Sequence, residues 1–380
     1  MKILFVSMPS VHVIRWVENL KDTDYELYWF DVLNKGKIKE LDSVIQFTDW
    51  KKRKIKSIKG EFFIYKNIPE LHEFVLPYLE KTANEALEKI ILEIQPDIVH
   101  SFEMQSCSYP ILKTMNKFEN IKWIYSCWGS DLYYYQNFKR HNFKIKNVLK
   151  RINYLITDCE RDSIIAKKLG FNSAFLGVIP GGAGFKINEL QSYKLPISER
   201  KIILIKGYEH DFGRGLNVVK AIEQINLTNL QYQVVIFGAH NSVLSYVRDR
   251  KLNFKVYSRQ QLNHKEVLQL MGKSLLYIGN SISDGLPNSL LEALVMGAFP
   301  IQSNPGNVTA ELISDGINGL LINNPNDIEL IKNLLLKALN SGNLIHNAQN
   351  INFDIAQNRL DYTKNNAKSI ELYNQVINNC

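Results

Sequence analysis

The residues best suited to chemistry lie between Ser281 and Ile301, where a polar loop precedes an apolar helix. Asp284 lies in the loop, and Glu292 follows about one turn inside the helix that Pro287 opens. A helix amino terminus offers free backbone N–H groups and a partial positive charge, which suit a phosphate. A carboxylate one turn further on can accept hydrogen bonds from two sugar hydroxyls. We therefore predict that the segment binds a nucleotide sugar. The other residues predicted to contact it are Gly285, Leu286, Pro287, Asn288 and Ser289.

A purely structural interpretation of the same helix start remains open. Asn288 or Ser289 could be the N-cap residue, whose side chain accepts a backbone N–H from the first turn. Ser289 and Glu292 match the Ser-x-x-Glu pattern of a capping box. The residue types are compatible both with a capped helix and with a ligand site.

Two cations lie at or just after the end of another predicted strand in the carboxyl-terminal half of the chain. Lys206 follows the apolar run Ile202–Ile205, and Arg214 stands between Gly213 and Gly215. Flanking glycines allow a sharp turn, and a guanidinium can bind two oxygens of a diphosphate at once. We predict that Arg214 binds a diphosphate. Lys206 is either a second cation for it or a solvated residue at a strand end.

The two loops can form one site only if the strands before them lie in the same sheet. Continuous apolar runs such as Ile3–Ser7 are typical of parallel strands covered on both faces, and they alternate with helical patterns along the chain. A glycine-rich and polar break at 179–196 separates two such series. The pattern predicts an α/β protein with two Rossmann-like, doubly wound parallel-sheet domains that face each other across a cleft. The predicted domains are 1–190 and 191–355, with a C-terminal helix at 356–380 that packs back on the first.

The Ser281–Ile301 segment also resembles the signature of family-4 glycosyltransferases, which are retaining enzymes with the GT-B fold. Their pattern is E-x7-E followed by A-x3-G-x-P-V/I, and here Asp284-x7-Glu292 precedes Ala293 to Ile301. The run Asp315–Leu320 is similar to a glycine-containing segment downstream in that family. The resemblance implies a GT-B transferase of the bacterial surface-polysaccharide or O-antigen type, in which Asp284 is catalytic.

The strand end at Lys206 resembles a variant of the same family. The usual loop is G-R-x4-K-G, whose arginine and lysine bind the donor diphosphate. Here Lys206-Gly207-Tyr208 has tyrosine in place of that arginine, and Arg214 stands one residue beyond the usual lysine. The resemblance implies that Lys206 and Gly207 contact the donor and that Arg214 assists departure of the diphosphate.

The amino-terminal half resembles the family more loosely, through residues that follow its strands. The resemblance places an acceptor or sugar side at His12, His100, Glu103, Trp128 and Asp131. Trp128 stands where the family often has a histidine, and we expect it to stack on a sugar face. His100 could instead be a core histidine, and Asp131 a helix N-cap after Ser130.

The net charge of +8 favours an anionic partner. Much of the excess lies in two runs, 51–59 and 139–151, each with six Lys or Arg and no acid. We predict that these runs dock on the anionic inner face of a cell membrane beside a lipid-linked acceptor. A solvated surface is the alternative. Nucleic acid is not expected as a partner, because aromatic residues accompany the cations only near Tyr133–Arg140.

The remaining composition argues for a cytoplasmic protein without a bound metal. The cysteines (Cys107, Cys127, Cys159 and Cys380) form no C-x-x-C pair, which predicts reduced and mostly buried thiols. The apolar run at Ile3 is too short for a signal peptide, and no run is long enough to span a membrane. Without a metal-ligand cluster in the sequence, we expect neither a metal nor another cofactor.

Together these patterns predict a retaining glycosyltransferase of the hexosyltransferase type. It would move a sugar from a UDP- or GDP-sugar to a hydroxyl of a glycan or lipid-linked acceptor, in cell-surface polysaccharide synthesis. A nucleotide-sugar epimerase or sugar-phosphate synthase of the same fold is the nearer alternative. A non-catalytic RNA- or sugar-binding protein is the more distant one, since only the positive charge supports it.

Overall fold

The structure, a computed structural model, describes residues 1–56, 59–182, 184–226 and 232–378. The chain forms two compact units. The first comprises Met1–Thr157, Asp162–Val178 and the segment from Ser369, and the second comprises Asp158–Arg161 and Ile179–Lys368. The division at 178/179 comes earlier in the chain than the one predicted after residue 190.

The first unit is built on a seven-stranded parallel sheet with the order β3-β2-β1-β4-β5-β6-β7. Its central strands are buried along almost their whole length, because helices cover both faces of the sheet. Apolar and polar residues therefore do not alternate along these strands. The strands are β1 Lys2–Ser7, β2 Glu26–Asp31, β3 Ile45–Phe47, β4 Ile98–Phe102, β5 Lys122–Cys127, β6 Tyr154–Thr157 and β7 Ala174–Val178.

Eight helices accompany this sheet in the described part of the chain. A short π-helical turn, Met104–Ser108, follows β4. The helices are α1 Val11–Glu18, α2 Glu61–Asn67, α3 Pro69–Leu79, α4 Ala83–Ile94, α5 Leu112–Met115, α6 Ser130–Tyr133, α7 Lys139–Arg151 and α8 Glu160–Lys168.

The second unit repeats the plan with a six-stranded parallel sheet of order β10-β9-β8-β11-β12-β13. The order reverses at β8, so ligands of such sheets bind beside the carboxyl ends of β8 and β11. The strands are β8 Ile202–Lys206, β9 Gln233–Ala239, β10 Lys255–Ser258, β11 Ser274–Gly279, β12 Phe299–Ser303 and β13 Leu320–Ile322. The helices are α9 Ile187–Leu190, α10 Gly215–Glu223, α11 Asn241–Asp249, α12 His264–Lys273, α13 Asn288–Met296, α14 Ile328–Leu339, α15 Gly342–Arg359 and α16 Tyr362–Asn378.

The end of α16 completes the core of the first unit. The hydroxyl of Tyr373 accepts the indole N–H of Trp16 at 2.7 Å and lies 2.6 Å from Nδ1 of His100. The amide of Asn19 donates to Ser369 Oγ at 3.1 Å. Residues from one end of the sequence thus fill a cavity lined by the other end.

The two basic runs differ from each other in structure. In the first run, Lys51 pairs with Glu80, Arg53 with Glu61 and Lys54 with Glu85. Acids distant in sequence therefore neutralise these three cations, while Ser57 and Ile58 lie outside the described residues. The second run is α7, which buries Ile145, Val148 and Leu149. Its exposed cations are Lys139, Arg140, Lys146 and Lys150.

Three of the predicted buried thiols are confirmed: Cys107, Cys127 and Cys159 are free and buried. Cys380 lies outside the described residues. Among the helices described, none has the length and apolarity needed to cross a membrane.

Candidate functional site

Two predicted site loops of the second unit lie side by side. The loop between β8 and α10 contacts the loop after β11 through a backbone bond from Ile282 N to Phe212 O at 2.9 Å. Arg214 N donates to Asn280 O at 2.9 Å, and the side-chain amide of Asn280 donates to Arg214 O at 3.1 Å. The segments that carry Arg214 and Asp284 therefore form one surface at the carboxyl edge of the sheet.

The guanidinium of Arg214 is used within its own loop. Its Nη1 donates to the carbonyls of Gly213 at 2.7 Å, His210 at 3.0 Å and Asp211 at 3.3 Å. The side chain thus tightens the turn, and only its Nε and Nη2 remain to meet a diphosphate.

Glu209, which the sequence analysis missed, occupies the start of α10. Its carboxylate accepts the backbone N–H of Leu216 at 2.8 Å. A helix amino terminus that already holds a carboxylate is not open to a phosphate. An anion beside α10 must therefore be bound by side chains or by the start of another helix.

Such side chains gather around Tyr208. Lys206 Nζ lies 4.6 Å and Arg259 Cζ lies 5.2 Å from the centre of the Tyr208 ring. The imidazole of His240 stands 5.6 Å from the same ring, and Arg259 Nη1 approaches His240 Nε2 at 3.5 Å. We call Lys206, Tyr208, His240 and Arg259 the Tyr208 cluster.

The electrostatics of the Tyr208 cluster favour an anion. Burial lowers the pKa of His210 and of His240, and the Arg259 charge lowers both further. Lys206 also lowers the pKa of His210. A cavity of about 450 Å³ opens here, lined by Glu209, Ala239, His240, Asn241, Ser242, Ser258, Arg259 and Gln260.

A buried arginine holds the Asp284 loop in place. Arg161 is 9% exposed, and its Nη2 donates to Asp284 O at 2.8 Å while its Nη1 donates to Pro305 O at 2.7 Å. Gly285 packs so closely against the Asp158 carboxylate that an added Cβ would collide with it. The conformation of this loop thus depends on residues from the first turn of α8 and the segment before it.

The start of α13 does not form the capping box. Its N-cap is Pro287, with no side-chain cap, and Ser289 instead accepts the hydroxyl of Tyr277 at 2.8 Å. Glu292 is 6% exposed, and its Oε1 lies 2.8 Å from Nε2 of the half-exposed His264. The structural alternative for Glu292 as a capping residue is therefore wrong.

The downstream run predicted to resemble the family is a structural turn. Asp315 Oδ1 accepts Leu321 N at 2.8 Å, and Gly316 N donates to Gly319 O at 2.9 Å. The buried Asn318 donates to Leu312 O and to Asn352. This segment therefore orders the turn before β13.

In the first unit, the structure brings His12 and Trp128 together. His12 lies in α1 and Trp128 in the loop after β5, and their rings stack with centres 4.6 Å apart. Both are partly exposed. They form an aromatic platform at the carboxyl edge of the first sheet.

The other residues predicted for an acceptor side lie deeper. His100 is fully buried, and its Nδ1 and Nε2 contact Tyr373 and Ser126. Burial lowers its pKa to about 3, so it is a neutral core histidine. The alternative interpretation of this residue matches the structure, which does not place it on an open surface.

Asp131 and Glu103 organise loops. Asp131 accepts the Tyr125 hydroxyl at 2.6 Å and the backbone N–H of Trp128 at 3.1 Å. The N-cap of α6 is Gly129, so Asp131 is not that cap. Glu103 accepts two N–H groups of the π-helical turn. Burial raises the pKa of Asp131 to about 6, and burial together with the Asp131 charge raises that of Glu103 to about 7.

Solved structures similar to this one include glycosyltransferases. Sucrose-phosphate synthase from Thermosynechococcus elongatus has a TM-score of 0.74 at 13% identity, with 100% of each chain covered. HepE from Anabaena in complex with UDP-glucose has a TM-score of 0.67 at 13% identity, with 99% of this chain and 100% of that one covered. The lipopolysaccharide outer core galactosyltransferase WaaB has a TM-score of 0.64 at 16% identity, with 97% and 99% covered. These likenesses show the GT-B fold. No curated protein sequence matches the chain significantly.

Family models match both units. The model described as Glycosyl transferases group 1 matches residues 192–353, and the one described as Glycosyl transferase 4-like matches residues 2–159. The chain is a glycosyltransferase. The predicted fold and enzyme class of the transferase are thereby confirmed.

Besides Glu209, the sequence analysis also missed Arg259, Arg161 and His264. Arg259 follows a short edge strand, Arg161 lies in a short stretch of the second unit between two segments of the first, and His264 opens a helix 28 positions before its partner Glu292. One signal was available for Arg259, since it directly follows the strand end Ser258 and is the only cation in the run 256–263.

Proposed function

We propose that the transferase moves a sugar, with retention of configuration, from a nucleotide-diphosphate sugar to a hydroxyl of a glycan or lipid-linked acceptor. The second unit binds the donor. HepE, a protein of the same fold, was solved with UDP-glucose, and WaaB is named as a lipopolysaccharide transferase. These relatives support a nucleotide sugar as donor and cell-surface polysaccharide synthesis as the setting.

The observation that carries the proposal is the Tyr208 cluster beside the Asp284 loop. The tyrosine stands where related loops have an arginine, and Arg259 from the loop after β10 brings a guanidinium to the same place. Lys206 supplies a second cation. We assign the diphosphate to Arg259 and Lys206, with Arg214 contributing through Nε or Nη2.

Catalysis then follows from charge. The diphosphate gains negative charge as the sugar bond breaks, so cations fixed beside it stabilise the transition state more than the bound donor. Glu292 accepts the ribose hydroxyls, and Asp284 contacts the transferred sugar. His12 and Trp128 offer an apolar ring surface to a sugar of the acceptor.

Calorimetric titration of UDP and GDP tests the donor assignment. We expect one nucleotide to bind the wild type and Arg259→Ala to bind it at least about tenfold more weakly, since a charge-assisted hydrogen bond contributes about 1.5–3 kcal/mol. Arg248→Ala is the matched control, because Arg248 is an exposed arginine of the same unit paired only with Asp249. Equal affinity in the wild type and Arg259→Ala would remove Arg259 from the site. Failure of the wild type to bind either nucleotide would overturn the proposed donor.

The choice of acceptor separates transfer from the alternative of a sugar-phosphate synthase. A synthase of the kind represented among the structural relatives would release UDP or GDP only when a sugar phosphate is supplied. The transferase proposed here releases it with unphosphorylated glycan or glycolipid acceptors. Release that requires a phosphorylated sugar would favour the synthase.

A further inference from the structure

A helical hairpin in the first unit exposes an unusual amount of apolar surface. It consists of α2 and α3, residues 61–79, and we call it the aromatic hairpin. Phe62, Phe74 and Tyr78 are 75%, 72% and 70% exposed. The other exposed apolar side chains of the hairpin are Phe63, Tyr65, Ile68 and Leu71. Soluble monomers rarely leave so many large apolar groups together in water, and such a patch usually marks a binding surface.

Three of the exposed groups share one side of α3. Leu71, Phe74 and Tyr78 are spaced three and four positions apart and so share one side of α3. Tyr65 of α2 packs edge-on against His72 of α3, with ring centres 5.1 Å apart, and joins the two helices. Leu79 is buried and anchors the end of α3.

Part of the first basic run fixes the base of the hairpin. The backbone of Lys54 donates to Leu79 O at 2.9 Å, and Lys81 N donates to Lys52 O at 2.8 Å. Arg53 forms two bonds to Glu61 at the start of α2. The side chains of Arg53 and Lys54 therefore stabilise the hairpin and are not free to bind an outside partner.

Four other cations lie in α2 or in the chain just before it. Lys52, Lys56, Lys59 and Lys66 are exposed, and none forms an ion pair with any residue that the structure describes. Residues 51–81 carry eight Lys or Arg against four Glu. The surface thus combines aromatic groups with an uncompensated positive charge.

We propose that the aromatic hairpin docks the protein on an anionic membrane. Its Phe and Tyr side chains enter the region between headgroups and acyl chains, where aromatic rings are favoured. Lys52, Lys56, Lys59 and Lys66 pair with the lipid phosphates. The proposal goes beyond glycosyl transfer and does not depend on it, because docking requires neither donor nor acceptor.

Sedimentation with vesicles tests the apolar part of this surface. The full chain is mixed with vesicles of phosphatidylcholine containing about one third phosphatidylglycerol, and with phosphatidylcholine alone. We expect binding to the anionic vesicles, and at least about tenfold weaker binding by the triple variant Phe62→Ser, Phe74→Ser, Tyr78→Ser. The control variant Leu92→Ser, Ile317→Ser, Phe353→Ser removes three exposed apolar groups elsewhere and should bind as the wild type does.

A second variant tests the charge. Each lysine near an anionic surface contributes about a fivefold gain in partitioning, so changing Lys52, Lys56, Lys59 and Lys66 to Gln should lower binding at least tenfold at low salt. Changing Lys35, Lys37, Lys39 and Lys251 to Gln removes the same charge elsewhere and should lower it much less. Added salt should weaken binding of the wild type and reduce the gap between the two variants.

Three results would overturn the proposal. The first is absence of wild-type binding to anionic vesicles, and the second is equal binding by the wild type and the aromatic triple variant. The third is a self-associated wild type that the triple variant converts to monomer without any change in vesicle binding, since the surface would then contact a second copy. None of these results bears on nucleotide binding, so failure here is distinguishable from failure of the proposed transfer.

Discussion

Glu292 is the residue whose contacts most directly predict a functional effect. Its carboxylate is buried, yet its hydrogen-bond partner is the exposed His264 rather than the start of its own helix. We expect Glu292→Gln to lower kcat/KM for the donor about tenfold to hundredfold, because the amide lacks the charge that strengthens bonds from ribose hydroxyls. Steady-state rates at varied donor concentration measure this loss.

The melting temperature of Glu292→Gln provides the control. Glutamine keeps the shape of the side chain and an oxygen for His264, so the fold should be nearly as stable as the wild type. Near-normal kcat/KM would show that Glu292 does not contact the donor.

Asp131 and Glu103 should make stability depend on pH. Their folded-state pKa values of about 6 and about 7 lie above the ordinary values of carboxyl groups. The folded protein holds these two protons more tightly than the unfolded chain does. The contribution of the two carboxyl groups to folding stability is therefore fully present below their ordinary pKa, and it is lost as the pH rises through about 6 to 7. We expect the free energy of unfolding to fall by up to a few kcal/mol between pH 5 and pH 8, measured by urea titration.

The variant Asp131→Asn should show a smaller fall over the same pH range. It removes one titrating group and also the charge that raises the pKa of Glu103. Asp249→Asn, at an exposed position, serves as control and should follow the wild type. A fall of the wild-type size in Asp131→Asn would contradict the assignment.

At the scale of elements, Arg161 joins two loops of the second unit, one of which belongs to the proposed donor site. A lysine at this position reaches only one of the Asp284 and Pro305 carbonyls and leaves the other buried without a partner, which costs about 1–3 kcal/mol. We therefore expect Arg161→Lys to lower the melting temperature and to lower kcat/KM for the donor as well. Thermal unfolding and donor kinetics on the same preparation measure the two effects.

Arg151→Lys is the matched comparison. Arg151 binds the carbonyls of Met115 and Phe118 in the first unit, so it has the same chemical role away from the donor loops. This variant should lose stability without a change in donor KM. Equal kinetic losses in both variants would mean that Arg161 acts only through global stability.

The elements that the sequence predicted well are those with one dominant signal. The strand predicted from the run Ile3–Ser7 is β1, Lys2–Ser7, because a short, continuous apolar run beside polar segments has few alternatives. The loop after β11 and the start of α13 were also predicted, because Asp284, Gly285 and Pro287 are loop residues that directly precede an apolar helical pattern. The aromatic hairpin was missed as a surface, since apolar residues at helical spacing ordinarily mark the buried side of a helix.

The contacts within the site were harder to predict for a different reason. Nothing local in the sequence places Arg259 beside Tyr208, because the strand order of the second sheet brings those segments together. Arg161 is more than 100 positions from both carbonyls that it binds. Likewise, the ion pairs of Lys51, Arg53 and Lys54 involve glutamates that a scan of the basic run does not include.

At the scale of the whole molecule, the proposed mechanism needs no divalent cation. Lys206, Arg259 and the N–H groups at the start of α13 supply the positive charge for the departing diphosphate. We expect excess EDTA to leave the initial rate of transfer unchanged, measured as nucleotide release after exhaustive removal of metal from the buffers. A loss of rate that Mg²⁺ or Mn²⁺ restores would reveal a metal site that this assignment overlooks.

The path of α16 has a consequence for biosynthesis. Tyr373 and Ser369 satisfy buried polar groups of Trp16, Asn19 and His100, but the ribosome makes them only after the whole second unit. Proteins usually fold domain by domain as they emerge, whereas here the first unit stays incomplete until the second has been synthesised. The nascent first unit therefore leaves the surface that α16 covers exposed until then, where chaperones can bind, and a fragment ending at residue 178 would leave it exposed permanently.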